Sequence, residues 1–455
     1  MRIEAGWALI RNIGTRDPSV IIGTLITLNL LRVISSLLLT RLLSPTDFGV
    51  IGMVSVAHYT ITMLLDFGTD AYLVRHREIH DRRQLDVIWT ITFLRLIFVA
   101  AITALGAGVF SHLLGNETLT VVLAVSALGF LASAPQSLSL SLAIRSKQLF
   151  LVSTIDVATA VLNLFLTVTM AIWLKNYWAL IISSIIGTSI RSALSYLLFP
   201  TPFYRFAFDP KVAAEMWKFS RYIIGSSVIT LILSQIDKFV LGHFLTLGEF
   251  GIYMLASSLA FVPKMFSDAY GSRVLFPTYA QAYRDDPSSI RQLFHAKLRI
   301  VGPLYCFAVG NLISFAPVVI AVMYQDRYAD AAYYLALLSI PSFFALSSIA
   351  ATEALIAVGE VRATFHANLV RLGWLIPFSS VAVYLGRPAA ILGVLALSEL
   401  PATVYTWWRL RRKGILSLRR ELPTFLIGAL GVVTGWLLYR ALGFVFHIVP
   451  VGLLP

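Results

Sequence analysis

The sequence has very little cysteine and very little charge. Its one cysteine, Cys306, excludes a disulfide within the chain and a cluster of thiolate metal ligands. Only 13% of the residues are charged, whereas a water-soluble domain has about 25%. Hydrophobic residues make up 58% of the chain, and apolar runs of about 20 residues recur along its length. The composition therefore predicts an all-α protein that crosses a membrane many times, because a helix satisfies its own backbone polar groups in lipid.

Sequence signatures of catalysis are also missing. The chain has no G-x-x-x-x-G-K-[ST] phosphate loop and no G-x-S-x-G nucleophile turn. The run HREIH at residues 76–80 has two histidines four positions apart, but its glutamate is misplaced for a zinc protease and arginines surround it. We interpret it as a basic loop and predict no metal, no cofactor and no enzymatic activity. A membrane-embedded glycosyltransferase is disfavoured because no predicted external loop is long.

Hydropathy predicts thirteen membrane spans. Six precede the basic stretch 201–221, near residues 20–40, 48–66, 87–110, 118–142, 150–174 and 177–199. Seven follow the sixth span, near 219–242, 250–268, 299–324, 331–357, 365–386, 389–409 and 422–440. The apolar tail 443–455 is too short to cross a bilayer of about 30 Å as a helix, so the number of C-terminal spans stays open. Residues 1–19 show no cleavable signal peptide, so the first span is expected to direct insertion.

Positive charge is concentrated in the loops that follow the even-numbered spans. This bias predicts a cytoplasmic N-terminus, and it explains the net charge of +13 without a nucleic-acid partner. Because each half contains an even number of spans, we expect two six-helix bundles related as a parallel repeat. The predicted divisions are a first lobe at 1–205, a second lobe at 206–415, and one or two extra C-terminal helices within 416–455.

A short motif occurs twice. LSPTDFGVI at residues 43–51 and LTLGEFGIY at residues 245–253 each place an acidic residue before Phe-Gly and an apolar helix start. Asp47 and Glu249 are 202 positions apart, and the same offset joins Asp66 to Asp268. A repeat at a fixed offset predicts a duplicated unit.

Charged side chains inside the predicted spans indicate a polar interior, since each one is costly in hydrocarbon. We predict that four cations line a cavity for an anionic group, and that two carboxylates couple transport to protons or sodium. The cations are Arg32, Arg191, Lys238 and Arg273, and the carboxylates are Asp237 and Glu353. The alternative is that these charges pair, for example Asp237 with Arg32. For Arg95, Arg371 and Glu399, snorkelling toward a span end is a further alternative.

Small and kink-forming residues mark positions of close packing and of bending. Gly431 and Gly435 have the spacing of a close helix-packing face. Prolines within or near the spans are candidate hinges or static kinks, because proline removes a backbone hydrogen bond; they are Pro135, Pro263, Pro303, Pro317, Pro341 and Pro377.

The repeated motif carries a family resemblance. LTRLLSPTDFG at residues 39–49 is similar to the first inter-helix motif of bacterial polysaccharide-unit flippases of the Wzx type. SQIDK at residues 234–238, followed by FGIY at residues 250–253, resembles the start of their second half. These flippases belong to the multidrug/oligosaccharidyl-lipid/polysaccharide exporter superfamily, and the resemblance covers roughly residues 20–415.

The resemblance implies two six-helix bundles around a central cationic cavity, with Arg32 at a position that fits a cavity arginine. It implies a bacterial inner-membrane protein that moves undecaprenyl-pyrophosphate-linked oligosaccharide from the cytoplasmic to the periplasmic leaflet. A polysaccharide polymerase and chain-length or export proteins are the implied partners. The glycan, and whether it feeds O-antigen, capsule or exopolysaccharide, stay open. The competing hypothesis is an ion-coupled small-molecule or multidrug exporter of the same superfamily.

Overall fold

A computed structural model describes residues 18–69, 72–73, 82–145, 148–197, 204–360 and 362–446. Within these ranges the regular structure is helical and no strand occurs, which confirms the all-α prediction. The HREIH run and the tail beyond Phe446 lie outside the described residues. Backbone contacts divide the chain into two compact units, which join between Leu231 and Ile232.

The first unit contains nine helices in its described residues before a long connecting helix. The helices are α1 Pro18–Leu42, α2 Pro45–Leu64, α3 Arg82–Leu105, α4 Ala107–Leu113, α5 Leu119–Ser126, α6 Leu128–Ser133, α7 Ser139–Arg145, α8 Leu149–Leu174 and α9 Trp178–Leu197. Helix α1 packs against α8, α8 packs against α9, and α6 lies against both α9 and α3.

The connecting helix, α10 Pro210–Phe244, belongs to both units. The sequence places the lobe boundary at residues 205 and 206, and this boundary stays a prediction. The segment just before α10 packs on the first unit: the backbone N–H of Arg205 donates to Asp86, and the Tyr204 ring stacks on Trp89 with centroids 5.7 Å apart. The chain therefore leaves the first unit along the helix rather than in a free linker.

The second unit contains eight further helices in its described residues: α11 Leu247–Tyr270, α12 Phe276–Asp285, α13 Ile290–Met323, α14 Ala331–Ala357, α15 Arg362–Tyr384, α16 Pro388–Ala396, α17 Glu399–Arg412 and α18 Leu418–Phe446. Helix α14 is central, because it packs against α11, α13, α16 and α17. Small residues on α14, among them Ala350, Ala351 and Ala354, are fully buried and let these neighbours approach closely.

Helices overlap all thirteen predicted spans, and ten described helical segments are long and apolar enough to cross a membrane. Three predicted spans are broken. The third, 87–110, divides into α3 and α4 at Gly106, and the fourth, 118–142, divides into α5, α6 and α7, with a break around Pro135. The twelfth, 389–409, divides into α16 and α17 at Leu397 and Ser398. Pro401 explains the break in the twelfth span, because it has no N–H for the Leu397 carbonyl and its ring crowds that oxygen.

The repeated motif folds into the same helix cap in both units. Ser44 caps α2, where its side chain accepts the N–H of Asp47 at 3.3 Å and the Asp47 carboxylate accepts the Ser44 N–H at 2.9 Å. Thr246 and Glu249 form the same capping box on α11 with the same two distances. The two copies of the motif, 202 residues apart in sequence, thus have the same local structure.

One difference between the two caps gives a matched prediction. Asp47 also accepts the backbone N–H of Tyr177 at 2.9 Å, which ties the α1–α2 turn to the start of α9. Ser44→Ala and Thr246→Ala should each lower the unfolding free energy by about 1 kcal/mol, the usual loss for a cap. Asp47→Ala should cost more than Glu249→Ala, because it also removes the bond to Tyr177. Thermal unfolding of the four purified variants checks this; equal losses for Asp47→Ala and Glu249→Ala would contradict it.

Helices α13 and α18 lie side by side in parallel, with their backbones in close approach. Cβ atoms built on Gly310, Gly431 and Gly435 would overlap, respectively, the Gly428 carbonyl, the Phe307 carbonyl and the Ser314 hydroxyl. The predicted packing face at Gly431 and Gly435 is therefore confirmed. Its partner on α13 is a stripe of small residues at four-residue spacing: Gly302, Cys306, Gly310 and Ser314.

Candidate functional site

In the first unit, Arg32 lies in the middle of α1 with an exposed side chain. Within the described part of the chain it forms no ion pair or side-chain hydrogen bond. Apolar side chains on the same helix are similarly exposed, with Ile26 at 56% and Leu30 at 58%. An arginine in this setting keeps its full set of donors for a ligand or for water.

Arg191, by contrast, is already paired. Its Nη2 lies 2.9 Å from Oδ1 of Asp156, so α9 and α8 are joined by an ion pair. Arg95 of α3 forms a second pair, with Nη1 3.2 Å from Asp66 Oδ1 and 3.3 Å from the carbonyl of Leu65. Pairing therefore accounts for Arg95, and snorkelling is not needed.

A cavity of about 270 Å³ lies inside the first unit. Its polar wall comes from α2, α5, α6 and α9, and includes Ser55, Ser133, Ser184 and Thr188. His58 lines it too, with Nε2 2.8 Å from Ser126 Oγ and its ring 4.7 Å from that of Phe130. Sequence reasoning missed this cavity, although a histidine within an apolar span is a recognisable signal.

In the second unit, Asp237 and Lys238 satisfy each other. Lys238 Nζ lies 3.2 Å from Asp237 Oδ2 and also donates to the Ser234 carbonyl at 2.8 Å. The hydroxyl of Tyr253, which is fully buried, donates to the same carboxylate. These contacts support the alternative hypothesis that Asp237 forms a structural ion pair, with Lys238 as its partner and Tyr253 as a hydrogen-bond donor.

Arg273 lies in a π-helical turn, Gly271–Leu275, between α11 and α12. Such turns are rare and frequently occur at functional positions. A Cβ on Gly271 would overlap Ile349 and would lie 3.5 Å from Cγ of Glu353, so α14 packs directly on this turn. Arg273 is exposed and Glu353 is half-buried. In the described residues, neither side chain has an ion-pair or hydrogen-bond partner.

A buried ionic network links three other helices of the second unit. Glu399, at the start of α17, accepts from Arg371 of α15 at 2.6 Å and lies 3.7 Å from Lys264 of α11. Lys264 is also 3.7 Å from Asp268, and Arg371 donates to Asn368 at 2.7 Å. The carboxylate side chain is 9% exposed, so the pair is an interior contact rather than a snorkelling charge.

A separate charged cluster lies outside the spans, in the connection after α14. Glu360 pairs with Arg409 and, at 2.9 Å, with Lys413, near the C-terminal end of α17. The hydrogen bonds from Lys413 and Arg409 lower the pKa of Glu360 below its usual value. The cluster thus fixes the α14–α15 connection to the end of α17 at neutral pH.

The number, length and apolar character of the helices define a polytopic helical membrane protein. Two solved structures share that fold. One is titled "Lipid II flippase MurJ, inward closed conformation", with a TM-score of 0.70 and 12% identity over 95% of this chain and 100% of that one. The other is an inward-facing multidrug resistance MATE family transporter of the MOP superfamily, with a TM-score of 0.61 and 14% identity over 85% and 95%.

The sequence comparison identifies the family. Residues 38–333 match the polysaccharide biosynthesis protein family, and the chain belongs to it. The lipopolysaccharide biosynthesis protein WzxC of Escherichia coli (strain K12) is 24% identical over 90% of this chain and 86% of its own length. The resemblance to Wzx-type flippases, predicted from the repeated motif, is confirmed. The chain is a multi-pass bacterial membrane protein.

Proposed function

We propose that the chain is a flippase that moves polyprenyl-pyrophosphate-linked oligosaccharide units from the cytoplasmic to the periplasmic leaflet for polysaccharide biosynthesis. The match of residues 38–333 to the polysaccharide biosynthesis family carries the proposal. A pyrophosphate and a sugar chain cannot cross hydrocarbon unaided, because each unsatisfied polar group costs several kcal/mol there. The protein supplies replacement partners by alternating access, and no bond is made or broken.

The four proposed substrate cations divide into two kinds. Arg191 and Lys238 are neutralised by Asp156 and Asp237, at 2.9 Å and 3.2 Å. Arg32 and Arg273 are exposed and carry no such partner among the described residues. Arginine suits a pyrophosphate because its planar fork binds two phosphate oxygens at once. We therefore propose Arg32 and Arg273, each considered within its own unit, as the stronger candidates for binding phosphate, and give Arg191 and Lys238 a supporting electrostatic role.

The two proposed coupling residues also differ in their partners. Asp237 is held by Lys238 and Tyr253, whereas Glu353 beside the π-helical turn has no such bond in the described chain. Glu353 is therefore the stronger candidate for binding a proton or sodium ion. We place the protein in the inner membrane with its N-terminus in the cytoplasm. A polysaccharide polymerase with its chain-length or export machinery is the proposed partner.

Flipping can be measured with fluorescent polyprenyl-pyrophosphate oligosaccharide in proteoliposomes, by its accessibility to a membrane-impermeant quencher. Arg32→Ala and Arg273→Ala should each reduce the rate about tenfold, the value of a charge-assisted hydrogen bond. Arg32→Lys should recover part of the rate, since it restores the charge but not the fork. Both alanine variants should keep the native melting temperature, because neither breaks an ion pair.

Arg41→Ala is the matched control, since Arg41 is an exposed arginine at the end of the same helix. Its flipping rate should equal that of the native protein. If Arg32→Ala and Arg273→Ala flip the lipid at the native rate, these two residues do not bind the substrate. A native protein that leaves the lipid in place would overturn the flippase proposal.

The alternative, an ion-coupled small-molecule exporter, is favoured by one observation, the fold shared with the MATE transporter at a TM-score of 0.61. Such an exporter binds organic cations, for which exposed arginines are unfavourable partners. Ethidium efflux driven by a sodium or proton gradient in the same proteoliposomes distinguishes the two. Efflux without lipid flipping would select the exporter.

A further inference from the structure

A second cavity, of about 650 Å³, lies between the N-terminal turns of α13 and α18, and neither Lys238 nor Arg273 lines it. One end is polar and includes Gln292, Arg299, Arg419 and Arg420. Because α13 has 34 residues and is about 51 Å long, it exceeds the hydrocarbon core of about 30 Å. Since the apolar span of this helix is predicted to begin near residue 299, its first turns are expected at the level of the lipid headgroups.

The positive charge of this cavity is not neutralised by the protein. Arg299, Arg419 and Arg420 have exposed side chains, and no carboxylate pairs with them in the described residues. The carboxylate of the wall, Glu421, is buried and lies 3.3 Å from His295 Nδ1. The other ring nitrogen, Nε2, accepts the backbone N–H of Ser417 at 3.3 Å. The Glu421 carboxyl group therefore contacts His295 and forms no ion pair with the three arginines in the described residues.

The opposite end of the cavity is apolar. Pro303 of α13 and Ile427 of α18 form its wall. The neighbouring surface continues this character, with Leu304 64% and Leu426 64% exposed, as expected for helices in contact with acyl chains. Three cations at the headgroup level are thus followed, along both helices, by an apolar wall that runs into the hydrocarbon.

We propose that this cavity binds an anionic phospholipid, with its headgroup phosphate held by Arg299, Arg419 and Arg420 and an acyl chain along Pro303 and Ile427. Basic pockets between membrane helices bind such headgroups by charge and by forked hydrogen bonds. A soluble phosphate compound has no group for the apolar wall. The lipid is a bound component of the α13–α18 helix pair, and the proposal does not depend on what the protein transports.

Native mass spectrometry of the purified full chain, titrated with phosphatidylglycerol or phosphatidylcholine, tests this. The native protein should retain one phosphatidylglycerol in preference to phosphatidylcholine. R299Q/R419Q/R420Q should weaken that binding by about fivefold for each arginine removed. The control R284Q/R362Q/R411Q removes the same charge from exposed positions outside the cavity, and its affinity should be native. Equal affinity in the two triple variants would overturn the proposal.

Two further arms distinguish the source of the phosphate. Glycerol 3-phosphate should not displace the bound phosphatidylglycerol; displacement at similar concentrations would mean a soluble-phosphate site and would overturn the lipid proposal. Undecaprenyl phosphate should compete no better than phosphatidylglycerol, and a strong preference for it would reassign the cavity to the transported lipid. Photoactivatable phosphatidylglycerol on the native protein should crosslink near Ala296 and Ile427, and crosslinks confined to other helices would also overturn the proposal.

Discussion

Gly310→Leu is expected to prevent stable assembly of the second unit. The position has no room for a side chain, because a Cβ there overlaps the Gly428 carbonyl and approaches the Val432 nitrogen to 3.1 Å. Both are backbone atoms, so the two helices must move apart instead of a side chain turning aside. Overpacking of this kind costs about 3 kcal/mol or more, and separation of α13 and α18 also removes the remaining small-residue contacts.

The expected result is a small fraction of monodisperse protein after detergent extraction, measured by fluorescence-detected size exclusion. Gly373→Leu provides the matched control, because Gly373 is an exposed helical glycine of the same unit with no atom within 4 Å of its built Cβ. That variant should be extracted and melt like the native protein. A monodisperse, native-like Gly310→Leu protein would show that α13 and α18 can pack without close backbone approach.

The sequence carried the information for this helix pair only in part. The small residues at 302, 306, 310 and 314 and the glycines at 428, 431 and 435 can all be read from it. Their partnership cannot, because more than a hundred residues separate the two stripes and each is equally suited to other helices. The positions of the spans were predictable for the opposite reason, since hydropathy is a local property that the bilayer itself selects.

The partners of the buried charges are also not predictable from the sequence alone. Every ionisable residue within a span was recognisable as costly, yet Arg191 with Asp156 and Arg371 with Glu399 depend on which helix faces meet. The contact of Lys264 with Glu399 also joins helices that are distant in sequence, so no local pattern indicates it. The helix break at Leu397 was missed because a hydropathy window averages across Pro401, although the proline itself was visible.

The capping boxes show where local sequence is sufficient. Ser44 with Asp47 and Thr246 with Glu249 fold into the same geometry 202 residues apart, because a cap needs only four consecutive residues. The first cap has one further hydrogen bond, in which the backbone N–H of Tyr177 donates to Asp47, and this bond depends on tertiary packing. The motif therefore predicts where a helix begins, and the surrounding helices determine what else it binds.

Glu399→Leu should destabilise the second unit more than any other single change to its buried charges. Glu399 is the one described carboxylate that contacts both Arg371, at 2.6 Å, and Lys264, at 3.7 Å. Removal of one partner of a buried ion pair costs about 3–5 kcal/mol, because the other charge is left uncompensated in a low dielectric. Here two cations lose a partner together. Arg371→Met should cost less, because Glu399 keeps Lys264.

A double-mutant cycle measures this coupling. Arg371→Met combined with Glu399→Leu should be more stable than Glu399→Leu alone, with an interaction energy of at least about 1 kcal/mol between contacting charges. Thermal or denaturant unfolding of the four proteins in one detergent provides the values. Glu360→Gln is the control at the partly exposed cluster with Arg409 and Lys413, where solvent reaches the charges and the loss should be smaller than for Glu399→Leu. Strictly additive losses would mean that water or other polar groups already compensate Arg371, and that the network does not hold α11, α15 and α17 together.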